Sequence, residues 1–158
     1  MTGPTASERA GGPEAFVRLV DAFYARVEHD AVLRPMYPED LEPGKRHLAL
    51  FLAQYFGAGT VYSDERGHPR LRMRHAPFPI DPSAAGRWAT HMLAALAEQD
   101  LPMDVVAEID EYVRRATPTL VNRLATPGPA GVAAPLADAP RGDGPSADAP
   151  SGADGRRR

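Results

Sequence analysis

With 158 residues, 43% of them apolar, the chain has the length of one domain and the material for one hydrophobic core. Its formal net charge of −3 leaves no overall basic excess to draw it to nucleic acid. The absence of cysteine excludes disulfides, thiolate metal sites, iron–sulfur clusters and cysteine nucleophiles, so any metal has to be held by histidine or carboxylate.

Residues 1–13 are polar and small, close on Gly11-Gly12-Pro13 and lack the apolar run of a signal peptide; they read as a flexible lead. No apolar run reaches about eighteen residues, so the expectation is a soluble, cytoplasmic protein that does not cross a membrane. Glu14–Asp30 spaces Phe16, Leu19, Val20, Phe23 and Val27 by threes and fours, which predicts a helix burying that stripe. Tyr24 lies beside the stripe, and its hydroxyl needs a partner once the ring is buried. Between Ala31 and Pro43 the prolines forbid a continuous helix, and the segment reads as a corner containing Tyr37.

A second helix begins near Pro43, with Leu48, Phe51, Leu52 and Tyr55 on one face and Gly44 one turn before Leu48, leaving room on that face. Gly57 and Gly59 terminate it, and Thr60–Pro69, with Tyr62, reads as a loop. Asp81 can cap the next helix, with Pro82 at its first position and Ala85, Trp88, Ala89, Met92 and Leu96 along one face. The last helix is predicted from Met103 to Leu124, burying Val106, Ile109, Tyr112, Val113, Ala116 and Leu120, with Pro118 kinking or breaking it near Thr117. No strand pattern competes, so the expected fold is an all-α domain over residues 14–125. Residues 126–158 are Ala, Pro, Gly, Asp and Ser with few large apolar side chains, and read as a disordered tail.

The densest chemistry sits in Arg66-Gly-His-Pro-Arg-Leu-Arg-Met-Arg-His-Ala-Pro-Phe78. Arg66, Arg70, Arg72, Arg74 and His68 precede His75, and Pro77 and Pro79 end the segment, so one imidazole is carried on a short basic stretch. Such a stretch suits a flat, apolar, dianionic ligand such as haem, whose iron needs a strong axial ligand and whose propionates need nearby cations, for which Arg66, His68, Arg72 and Arg74 are candidates. It would also suit a phosphate-binding surface, although little aromatic interleaving supports nucleic acid.

Met36-Tyr-Pro-Glu-Asp-Leu41, Phe51-Leu-Ala-Gln-Tyr-Phe-Gly57, the run from Tyr62 to Phe78, and Trp88 together resemble the truncated haemoglobins, and within them the group II type of actinobacteria. The resemblance covers roughly Phe16 to Arg123. It implies a shortened globin, a two-on-two helical sandwich around haem b, with His75 as the proximal ligand to five-coordinate iron. It further implies Tyr24, Tyr37 and Trp88 as distal polar residues, Gly44 and Leu48 as the gate position and the apolar residue over the iron, and propionate contacts at Arg72, Arg74 and Tyr62. Phe51 and Phe78 join the cofactor-binding set. Phe56 departs from the tryptophan that relatives often carry there, and the corner before Gly44 is one residue shorter.

Three O–H or N–H donors aimed at a ligand bearing partial negative charge slow its release; with a net hydrogen bond at about 1 kcal/mol, losing two raises dissociation by roughly one to three orders of magnitude. Slow release favours redox chemistry on the captured ligand, nitric oxide dioxygenation or peroxide reduction, over oxygen transport. An electron-donating reductase is then implied, and a homodimer is open. The alternatives are a haem-based ligand sensor signalling to a partner through the tail, and a helical nucleic-acid module using the basic cluster.

Overall fold

The computed structural model describes residues 2–123. Leu124 and the 126–158 tail lie outside the described residues. In chain order the helices are α1 (Ala6–Arg9), α2 (Glu14–Val27), α3 (Glu42–Tyr55), α4 (Val61–Arg66), α5 (Leu71–His75), α6 (Pro82–Ala97) and α7 (Met103–Ala116), with single 3₁₀ turns at Arg34–Met36 and Thr117–Leu120. No strand occurs among the described residues. The sandwich is built on α2, which packs against both α3 and α6, while α6 packs on α7. The α2 stripe is the centre of the core: Phe16, Leu19, Val20, Phe23 and Val27 are each at most 1% exposed. No helix among the described residues is long and apolar enough to cross a membrane.

Within residues 1–13 the chain forms the short helix α1, which the sequence patterning did not show. Thr5 and Glu8 form a capping box, with the Glu8 N–H donating to Thr5 Oγ1 at 3.1 Å and the Thr5 N–H donating to Glu8 Oε2 at 2.7 Å. The Ser7 N–H donates to the Phe56 carbonyl at 2.9 Å, Ala6 and Ala10 join the core, and Arg9 pairs with Asp104 and Glu108 on α7. A turn this short is marginal alone; tertiary contacts hold it.

Thr60–Pro69 is likewise more ordered than a loop, because α4 occupies Val61–Arg66. One of its orphan donors is met from a neighbouring helix: the Ser63 N–H donates to Gln54 Oε1 at 3.0 Å, and Gln54 Nε2 donates back to Ser63 Oγ at 2.7 Å. The cap of α6 is as expected, with Asp81 Oδ1 accepting from the Ala84 N–H at 2.8 Å. On α7 Ile109, Tyr112 and Val113 are buried as expected, but in the first turn Val105 is fully buried and Val106 only partly so. Pro118 does end that helix, the backbone passing into the 3₁₀ turn at Thr117.

Gly57 closes α3 with φ +103°, and a Cβ there would lie 2.5 Å from the Thr5 Cβ. This one position carries both the chain reversal after α3 and the seat of α1. Gly57→Ala is therefore expected to lower folding stability by about 2 kcal/mol or more, read as a reduced urea midpoint. Gly59→Ala, with open space at its Cβ, should cost less.

Candidate functional site

The helices enclose a cavity of about 1210 Å³ of empty space, part of it open to solvent. Its walls draw together Tyr24 of α2, Tyr37 of the corner, Gly44, Leu48 and Phe51 of α3, Tyr62 of α4, Arg74 and His75 of α5, and Trp88 of α6. Nine of the eleven residues named with the family resemblance thus line one space, as does Arg66, whereas His68 does not. Arg72 and Phe78 do not: Arg72 points outward from α5 as an exposed side chain, and Phe78 is fully buried in the core behind the wall.

His75 ends α5, and its Nδ1–H donates to the Leu71 carbonyl at 2.6 Å. That bond assigns the tautomer and leaves Nε2 with the lone pair, the state a metal ligand requires. Burial lowers the imidazole's pKa below its ordinary value against the effect of the Leu71 bond, and the charge of Arg74 lowers it further, so the ring is neutral at pH 7. The segment behind it is clamped from the far end of the chain. Asn122 Nδ2 donates to the carbonyls of His75 at 3.1 Å and Phe78 at 2.9 Å, and its Oδ1 accepts from the Ile80 N–H at 2.9 Å.

The basic side of the cavity is formed by Arg66 and Arg74. Arg74 donates to the carbonyls of Pro69 at 2.8 Å and Arg66 at 2.9 Å, and its guanidinium lies 5.9 Å from the Tyr62 ring centroid. Arg66 Nε is buried with no protein partner among the described residues, while Nη1 lies against His47. Burial and then the charges of Arg66 and Arg46 lower the His47 pKa. A cation with an unmet buried donor at the cavity wall fits an anionic group on a ligand within.

Tyr24 and Tyr37 meet edge to face, ring centroids 5.6 Å apart, and Phe23 holds Trp88 at 5.2 Å. The corner bearing Tyr37 is pinned by Arg34, which donates to the carbonyls of Tyr37 at 3.3 Å, Pro38 at 2.9 Å and Glu39 at 3.3 Å. Burial raises the pKa of both tyrosines well above the ordinary phenol value; for Tyr37 the neighbouring Tyr24 adds to it and the Trp88 N–H opposes it. Both hydroxyls are therefore protonated donors across the physiological range.

The sequence profile of the bacterial-like globins matches residues 5–122. The chain belongs to the bacterial-like globins. The crystal structure of the hemoglobin from the thermophilic phototrophic bacterium Chloroflexus aurantiacus is 54% identical, covers 77% of this chain and 100% of that one, and superposes with a TM-score of 0.75. The thermostable hemoglobin of the actinobacterium Thermobifida fusca is 48% identical over 75% of this chain and 98% of that one, with a TM-score of 0.73. The group 2 truncated hemoglobin YjbI of Bacillus subtilis is 44% identical over 85 residues, 54% of this chain; the chain spans 64% of that relative. This globin is thus a truncated haemoglobin of the group II kind, and the family implies haem as cofactor and O₂ and other diatomic gases as ligands.

The globin's residues fit that group. The neutral imidazole of His75, an apolar slot and two arginines suit the needs of iron, ring and propionates. His47 and Asn122 were not foreseen as site residues. A histidine beside Leu48 on a helix gives no sign of facing a cavity, and Asn122 acts only across a tertiary contact. Tyr112, foreseen as core, also lines the cavity. Arg66→Ala is expected to speed haem loss several-fold, whereas Arg72→Ala should leave it unchanged. Transfer of haem to an excess of a haem-scavenging protein, followed by absorbance, measures both rates.

Proposed function

We propose that this globin holds haem b through His75 as the one protein ligand to iron, captures O₂ or another diatomic gas against Tyr24, Tyr37 and Trp88, and releases O₂ slowly. We further propose that it carries out redox chemistry on the captured ligand, nitric oxide dioxygenation or peroxide reduction, in the cytoplasm with electrons from a reductase. The observation that carries the reading is the neutral, half-buried His75 with Nε2 free, lining one cavity with two protonated tyrosines and a tryptophan.

Ferrous haem supplies reversible binding of a diatomic ligand and electron density shifted onto it. The protein then acts through its donors. Hydroxyls of Tyr37 and Tyr24 and the indole N–H of Trp88 are held in an apolar surround, where a hydrogen bond to a partly negative oxygen is stronger than in water. His47 is engaged with Arg66, its ring nitrogens 3.2 and 3.1 Å from Nη1, which supports a single histidine on the iron. Arg66 and Arg74 would hold the propionates. Gly44 is buried at the cavity wall with no side chain to obstruct ligand access. Strong retention with easy access suits chemistry on the ligand better than delivery of it.

His75→Ala is expected to abolish stable haem retention; a ferrous spectrum identical to that of the parent would overturn the assignment of the proximal ligand. Tyr37→Phe and Trp88→Phe should each speed O₂ dissociation about fivefold or more, the size of one net hydrogen bond, and combine non-additively if they serve one oxygen atom. Stopped-flow rates unchanged in both single variants would falsify the slow-release reading.

A further inference from the structure

Asp30, just past the end of α2, is a buried charged residue that the haem site itself does not explain. Its side chain is only 3% exposed and carries four donors. Oδ1 accepts from the backbone N–H groups of Val32 at 2.8 Å and Leu33 at 2.9 Å. Oδ2 accepts from His91 Nε2 at 2.6 Å and from Arg87 Nη1 at 3.2 Å. Burial alone would raise the carboxyl's pKa, but the bonds from His91, Leu33, Val32 and Arg87 outweigh it and hold the group ionised well below the usual carboxylate range.

The two oxygens serve two different pieces of the distal site. Val32 and Leu33 open the corner that runs through Met36 to Tyr37, and Leu33, Met36 and Tyr37 all line the cavity. Arg87 and His91 stand four residues apart on α6 and bracket Trp88, the chain's one tryptophan. A simple helix-end cap would use Oδ1 alone. The second oxygen crosses to α6, and a buried carboxylate with all its acceptors engaged has a fixed orientation.

Resting on the distal reading given above, we infer that Asp30 is a positioning residue for the two distal donors: it fastens the corner carrying Tyr37 to the part of α6 carrying Trp88, and so sets their mutual geometry. Asp30→Asn tests this cleanly. An amide offers its carbonyl to one side only, so either the corner caps or the α6 bonds are lost while volume is kept. His91→Leu is the second variant, because it removes one cross-link and leaves the corner caps and Arg87 in place.

In the full-length ferrous holoprotein, Asp30→Asn and His91→Leu are each expected to speed O₂ dissociation about fivefold, the size of one hydrogen bond. With carbon monoxide saturating the ¹⁵N-labelled ferrous protein, the single indole N–H cross-peak should move in both. Adding Asp30→Asn to Tyr37→Phe/Trp88→Phe should give no further acceleration. If Tyr37→Phe and Trp88→Phe speed release but Asp30→Asn and His91→Leu leave both the rate and the cross-peak as in the parent, whatever their effect on melting temperature, Asp30 is structural and the inference is overturned. If Tyr37→Phe and Trp88→Phe themselves do not change release, the distal chemistry falls instead, and the cross-peak alone decides: moved, it supports positioning by Asp30; unmoved, it overturns it.

Discussion

The hydrogen bond from the His75 Nδ1–H to the Leu71 carbonyl, at 2.6 Å, is the constraint on which the site depends. It runs from one end of α5 to the other, so it exists only if five residues hold helical form. Those residues have no side-chain N-cap, and Arg70 just before them sits in the left-handed region at φ 43° and ψ 52°, a conformation costing a non-glycine residue about 1–2 kcal/mol. Local bonds offset the cost. The Arg70 N–H donates to His68 Nδ1 at 3.2 Å, and the Arg74 side chain ties the carbonyls of Pro69 and Arg66 together. On the other side Pro77 and Pro79 stop the helix, and Asn122 takes up the carbonyls that it leaves. The orientation of one imidazole is therefore fixed by three separated parts of the chain.

The opposite requirement governs the donors. In the proposed function Tyr24, Tyr37 and Trp88 turn polar atoms to the cavity they line, while their rings are part of a continuous aromatic core with Phe23. Aromatic side chains meet both needs, since edge-to-face packing fixes the ring and leaves the polar tip at its rim. Burial also keeps the two phenols protonated, so each carries an O–H donor without a counter-charge, which an ionised group would demand. Charges are kept to the edges of this distal wall: Arg34 is spent on backbone carbonyls, and Arg87 on Asp30.

Much of this was legible in the sequence because local and tertiary demands coincide in the long helices. The α2 stripe and the Asp81-Pro82 start of α6 are each stated twice, by periodicity and by a cap or packing partner. Legibility failed where a segment is held from outside itself. α1 has only four residues and is seated by Phe56 and α7, while α4 is capped by Gln54 of another helix. Val105 and Val106 are adjacent and equally apolar, so spacing could not choose which faces inward; packing on α6 did. His47, Asn122 and Asp30 are lone polar residues whose work is done across the fold, and nothing in their neighbours along the chain announces it.

The arginine-rich stretch shows how far a linear cluster can mislead about a site. Arg66, Arg70, Arg72 and Arg74 read as one patch of charge beside His75, yet the fold divides them. Arg66, in the last turn of α4, and Arg74, one residue before His75, are turned to the cavity, where an unmet Nε and an arginine over Tyr62 lie beside its apolar walls. Arg70 is displaced by its left-handed backbone, and Arg72 stands on the outer face of α5, both in water. The helical period decides this. Leu71 and His75 are four apart and share the inward face of α5; Arg74 flanks that face, and Arg72 cannot reach it. Two inward cations suffice for a dianionic ligand, and the outward pair keeps a short, exposed segment hydrated with Met73 at its surface.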